Sequence, residues 1–228
     1  MAISKLNYNS LNVTPSANQA IGFDSGADDL ETGAGGGAMT FIKKLTASSS
    51  ATLSFVDGSS DVVLDSTYKE YLFIFNNIHP ATNSAYVTFQ GNASGGSDYN
   101  ETITSTMIGT FSEEDGTSAN TFYTTADDQG NGTAFQAIVK GTNNDNDTAT
   151  SGYLRLFNPS STTFVKHFIA FGSTNGTDEN DTYYTAGYFN TTSPTDEIQF
   201  KMNSGNIDAG TIPCTELINM VNKLKGVI

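Results

Sequence analysis

From Thr40 onward the chain is written in short runs of alternating apolar and polar residues, each closed by Gly, Asn, Asp or Ser. Alternation with a period of two is the signature of a half-buried strand, and those closing residues favour turns. "TFIKKLTA" and "ATLSFVDG" predict a hairpin around Ser48-Ser49-Ser50, followed by strands at "DVVLDS" and "KEYLFIFNNI". In the last of these, Tyr71, Phe73 and Phe75 share one face and Leu72 and Ile74 the other, which predicts burial on both faces. His79-Pro80-Ala81-Thr82-Asn83 predicts a turn, because proline presets its own φ and restricts the residue before it. "AYVTFQG" alternates cleanly, and "NASGGSDYN" reads as a loop. Weaker strands fit "NETITSTM", "GTFSEE" and "NTFYTTA". Strong ones return at "AFQAIVKG", "GYLRLFNP", "TFVKHFIAFGS", "YYTAGYFN", "DEIQFKMN" and "AGTIPCT". In "FKMNSGNIDAGTI", two alternating runs meet across Ser-Gly-Asn, the pattern of a β-hairpin. Turn signals about every ten residues, without strand–helix alternation, predict an all-β fold: an antiparallel β-sandwich, jelly-roll-like, over residues 41–214.

The two ends break this pattern. Residues 1–40 carry an acidic run at Asp28, Asp29 and Glu31 and then Gly35-Gly36-Gly37, with apolar residues too widely spaced for a helix face. They predict an extended N-terminal arm for assembly, with Leu6, Tyr8, Leu11, Ile21 and Phe23 as the residues to bury against neighbours. Residues 215–228, "TELINMVNKLKGVI", place Leu217, Met220, Val221 and Leu224 on one helical face. Thr215 could cap this short C-terminal helix, and Lys223 and Lys225 sit where its dipole favours cations.

Composition reinforces the β reading and narrows the partners. Only 15% of the residues are charged, while Gly counts 22, Phe 15 and Tyr 10, with no Trp. The formal net charge is −14, and Arg155 is the single arginine among ten basic residues. Clustered cations for phosphates are missing, which argues against nucleic acid and anionic membranes as partners. Cys214 has no second cysteine to pair with and reads as a small buried hydrophobe. "MAISKLNYNS" predicts no signal peptide, and no apolar run reaches membrane-spanning length. The Asn-x-Thr triplets at Asn12, Asn131 and Asn190 then read as turn chemistry rather than glycosylation sites.

Candidate chemistry is thin. His79 lies in a turn and His167 in a strand, and both read as locally hydrogen-bonded rather than catalytic, with no nucleophile elbow in the chain. Acidic loops occur at Glu113-Glu114-Asp115, Asp127-Asp128, Asp145/Asp147 and Asp178-Glu179-Asn180-Asp181. "NNDNDTAT" and "TDENDT" offer oxygens to calcium but lack the Gly and distal Glu of a dedicated loop. Tyr183, Tyr184, Tyr188 and Phe189 could stack on sugar, with core packing as the ordinary explanation. No catalytic residue, cofactor or metal is expected.

Three segments carry a resemblance. They are Ile78, Pro80 and Thr82 after the aromatic strand, then Asn158-Pro159 ending a later strand, and finally Phe200, Gly205, Asn206, Ile207, Gly210, Thr211 and Ile212 in the predicted hairpin. Together, across about residues 68–214, they resemble β-rich virion structural proteins of tailed bacteriophages. The closing Leu-Tyr-Gly common in that group is replaced by Pro213-Cys214-Thr215. The resemblance implies a non-enzymatic structural protein, a capsid decoration or tail-associated domain assembled in the host bacterial cytoplasm. Its partners would be capsid or tail subunits and further copies of itself, a trimer by analogy. The alternative is a tail-fibre module that recognises host-surface glycan.

Overall fold

The computed structural model describes residues 21–23, 30–32, 39–176 and 178–217. Leu6, Tyr8 and Leu11 of the arm, and residues 218–228 of the expected helix, lie outside the described residues. The chain divides into two units, residues 1–40 and 41–228. In the first, β1 (Ile21–Phe23) and β2 (Leu30–Thr32) pair antiparallel, with Phe23 opposite Leu30.

The remaining strands follow in chain order. They are β3 (Met39–Thr46), β4 (Leu53–Val56), β5 (Glu70–Pro80), β6 (Ala85–Ala93), β7 (Ile103–Glu113), β8 (Ala119–Tyr123), β9 (Gly130–Gly132), β10 (Gln136–Thr142), β11 (Thr150–Phe157), β12 (Lys166–Asn175), β13 (Glu179–Phe189), β14 (Thr195–Met202) and β15 (Ile207–Leu217). They form two sheets. The small sheet has the order β10-β6-β14-β4, and the large one β3-β15-β5-β11-β12-β13-β7-β8, with β9 also on β7. The pairings among β4 to β15 are antiparallel. The protein is all-β, two antiparallel sheets enclosing one apolar core.

Period-two patterning builds that core. Tyr71, Phe73 and Phe75 of β5 face Phe55, Phe89 and Phe200 of the small sheet, and all are at most 1% exposed. Phe200 is the hub, with ring centroids 5.3 to 6.5 Å from those of Phe55, Phe73, Phe75 and Phe89. The sheets approach closely where Gly172 of β12 meets Val139 of β10, since a Cβ at Gly172 would lie 2.2 Å from the Val139 methyl.

Several expectations are corrected. "FKMNSGNIDAGTI" is not a hairpin: β14 belongs to the small sheet and β15 to the large one, so the segment carries the chain between layers. The Ser48-Ser49-Ser50 segment does the same between β3 and β4. Alternation and turn residues mark the end of a strand but do not say with which strand it pairs. "DVVLDS" is not a strand. Ser60 and Asp61 adopt φ of 51° and 69°, and Gly58 N–H donates to Val62 O, so Val62 and Leu64 enter the core from a folded-back loop. Leu72 and Ile74 are only half-buried, because they lie on the outer face of the large sheet. β6, by contrast, is buried on both faces from Val87 to Asn92. "NETITSTM" and "GTFSEE" are one strand, β7. Residues 215–217 continue β15 in register with β5, with Thr215 opposite Leu72, so Thr215 caps no helix.

On the outer face of the large sheet, register aligns a transverse row: Ile74 opposite Tyr153, Tyr153 opposite Phe171, Phe171 opposite Tyr184, Tyr184 opposite Ile108, and Ile108 opposite Tyr123. Tyr184, Ile108 and Tyr123 are 52%, 42% and 54% exposed.

Candidate functional site

Most of the residues that carry the resemblance gather at the end of the sandwich where β5 finishes, while Asn158 and Pro159 lie at the opposite end, beside the start of β5. Ile207 pairs with Pro80, and Ala81 N–H donates to Asn206 O at 3.0 Å. The Asn206 side-chain amide donates to Ser49 O at 2.9 Å, tying the two interlayer crossings together. Gly205 has φ +70°, and a Cβ there would sit 2.1 Å from the Thr82 hydroxyl. Gly210 has φ +113°, and a Cβ there would meet Asn77 O at 2.5 Å. Both positions require glycine, for handedness and for space. Asn158, with φ 47°, ends β11, and the carbonyl of Pro159 accepts Thr195 N–H at 2.9 Å where β14 begins. Thr211 opposes Asn76, and Ile212 is buried. These residues position backbone, and none presents a reactive group. Of the arm residues, Ile21 and Phe23 lie in β1.

The acidic loops do something that their sequence did not show. Two of them meet in a cleft of about 750 Å³ lined by Glu113, Glu114, Asp115, Asp178, Glu179 and Asp181. Glu114 N–H donates to Asp178 O at 2.8 Å, linking the β7–β8 turn to the β12–β13 turn. Glu113 stands directly opposite Glu179, a like-charge pair that costs stability. Burial, with the charge of Glu179 second, pushes the Asp181 carboxyl up to about 6. Hydrogen bonds from Thr117 hold Asp115 below the usual carboxylate range. Among the described residues, no group of three or more His, Cys, Asp and Glu side chains is placed to hold a metal ion.

The two histidines sit apart. His79 Nε2–H donates to Asp145 O at 3.1 Å, and its Nδ1 is 3.7 Å from Asp208. His167 is exposed and packs on the Tyr188 ring, centroids 5.6 Å apart. Tyr183 and Phe189 are core residues, whereas Tyr184 points outward. Cys214 is fully buried, and burial pushes its thiol up.

Buried polar side chains are what sequence reasoning missed. Gln90, fully buried, donates from Nε2 to the carbonyls of Glu101, Thr133 and Ala134, closing two loops over the outer face of β6. Lys166, also fully buried, donates to Phe164 O and Thr191 O, both at 3.1 Å, and burial lowers its pKa. Neither position differs in pattern from a surface residue, so no sequence signal marks it. Compared with known proteins, the chain matches no family model, no curated protein and no solved structure.

Proposed function

We propose that this protein is a non-enzymatic structural component of a tailed-phage virion, a jelly-roll body displayed on the particle and docked to capsid or tail subunits through its N-terminal arm. One observation carries the reading. Taking the eight strands β3, β4, β5, β6, β10, β11, β14 and β15 in chain order as first to eighth, the sheets read first-eighth-third-sixth and second-seventh-fourth-fifth. That interleaving supports two nested Greek keys, an architecture used by viral capsid domains and also by lectins. The resemblance in Ile78, Pro80, Thr82, Asn158, Pro159 and the Phe200–Ile212 segment supports the virion side of that choice. The arm contributes by burying Leu6, Tyr8, Leu11, Ile21 and Phe23 against neighbours, at about 25 cal/mol per Å² of apolar area less the cost of ordering.

Immunogold electron microscopy of intact particles tests the proposal. Label on head or tail supports it, and unlabelled particles overturn it. A chain lacking residues 1–38 is expected to fold but not to incorporate into virions, and full incorporation would remove the docking arm. The second reading, a host-glycan-binding module, has the exposed rings of Tyr184 and Tyr123 in its favour. A glycan array with hits lost in Tyr184→Ala would establish it.

A further inference from the structure

We infer that the outer face of the large sheet is a self-association surface, on which a second copy of this chain packs face to face about a two-fold axis. The inference is independent of the virion assignment.

The first argument is charge. The chain carries 24 acidic residues and a net charge of −14. Two copies repel unless they meet where carboxylates are absent. The outward positions of β11, β12, β13 and β7 alternate with the buried ones, and they hold no acidic side chain between Ser151 and Phe157, His167 and Ser173, Thr182 and Tyr188, or Thr104 and Ser112. The one cation there, Arg155, is paired with Glu70 of β5. Six acidic side chains gather at a sheet end instead, in the cleft that includes Glu113 and Asp178, and Asp128 at the lateral edge is held by the hydroxyl of Tyr123 and the backbone of Met107. A neutral face on a strongly acidic molecule has the composition of an interface core: aromatics enriched, Asp, Glu and Lys depleted.

The second argument is area. The row from Ile74 to Tyr123 crosses six strands. At 4.7–4.9 Å per strand it spans about 24 Å. Four rows two residues apart cover about 20 Å along the strands. One face is thus roughly 500 Å², and a pair buries about 1,000 Å², the threshold for a specific interface.

The chemistry of the row favours protein over sugar. Tyr153 and Phe171 are tilted 33° to each other and Phe171 and Tyr184 54°, and both ends run into Ile74 and Ile108. Tilted rings between aliphatic side chains interdigitate with a like surface, whereas a sugar ring stacks on a flat one. A two-fold pairing places each row against its own copy, which satisfies self-complementarity.

Sedimentation equilibrium and light scattering of the full chain test this over a hundredfold concentration range. The expected species has twice the 24.2 kDa chain mass. Tyr184→Asp and Ile108→Asp, both at exposed positions, are expected to raise the dissociation constant at least tenfold while leaving thermal unfolding within a few degrees of the parent. Phe164→Asp, 68% exposed and off this face, is expected to leave the dimer intact. Added salt is expected to tighten the dimer by screening the net repulsion. A monomer at every concentration, a trimer, a dimer unaffected by either aspartate, one that salt dissociates, or a monomer that binds glycan through Tyr184 would each overturn the inference.

Discussion

Ser50 and Ile207 exchange a reciprocal pair of backbone hydrogen bonds, N–H to O at 2.8 Å in each direction. Each residue lies where the chain leaves one sheet for the other. Ser50 stands between β3 and β4, and Ile207 opens β15 after β14. Two crossings therefore clasp each other at one end of the sandwich, and the Asn206 amide on Ser49 O adds a third bond. The register of both sheets is held at this clasp, since one slipped residue on either crossing would turn a strand's apolar face outward.

The clasp predicts a strong glycine effect at one place and a weak one at another. Gly210→Ala puts a methyl 2.5 Å from Asn77 O at φ +113° and is expected to cost about 3 kcal/mol or more. Gly58→Ala, at φ +71° with open space around it, is expected to cost about 1 kcal/mol. Urea unfolding of both variants checks this. Equal costs would show that handedness alone, and not the approach of Asn77, demands glycine at position 210.

Phe200→Ala is expected to cost about 3–5 kcal/mol, the largest loss among single truncations in the core. The ring packs with four other phenylalanines from both sheets, so its removal leaves a cavity that neither layer can close alone. Unfolding midpoints of Phe200→Ala and Leu53→Ala, the latter at a sheet edge, should separate clearly. Similar midpoints would mean that the sheets collapse onto the gap.

Strands were legible because their signal is local. The inward alternation of Tyr71, Phe73 and Phe75 needs no knowledge of the partner strand. Pairing was not legible, and for the same reason. β14 and β15 look like a hairpin in sequence, yet Phe200 opposes Phe89 on one sheet and Ile207 opposes Pro80 on the other. The acidic cleft was half visible. Glu113-Glu114-Asp115 and Asp178-Glu179 stood out as loops, but 63 residues separate Glu114 from its partner Asp178 before the register of β7 on β13 brings them together, with Glu113 opposite Glu179. The neutral outer face was invisible, because each strand gives it one residue in two and only the stacked register reveals a row.

Gln90→Leu is expected to destabilise by about 2–4 kcal/mol, because it takes the Gln90 donor from the carbonyls of Glu101 and Thr133, and one of two donors from Ala134 O, under a leucine of similar size. Hydrogen exchange should accelerate in the loops around residues 101 and 133–135 before the core strands respond. Uniform acceleration, or none, would show that these loops are held by something other than the amide.

Asp181 should make stability fall as pH rises through mildly acidic values. Its carboxyl is pushed up to about 6 in the folded protein, by burial first and by Glu179 second, from 3.8 in the unfolded chain. Below about pH 4 both states are protonated and the group contributes nothing. Between the two values the folded state holds a proton that the unfolded state has lost, so unfolding becomes easier with each step upward. Above about pH 6 the full cost remains, at most about 3 kcal/mol for a shift of about two pH units. Asp181→Asn removes the charge and keeps the shape. It is expected to stabilise by about 1–3 kcal/mol at neutral pH and to match the parent below about pH 4, read from urea midpoints across a pH series. A stabilisation that persists unchanged at low pH would mean that packing, and not the buried charge, separates the two proteins.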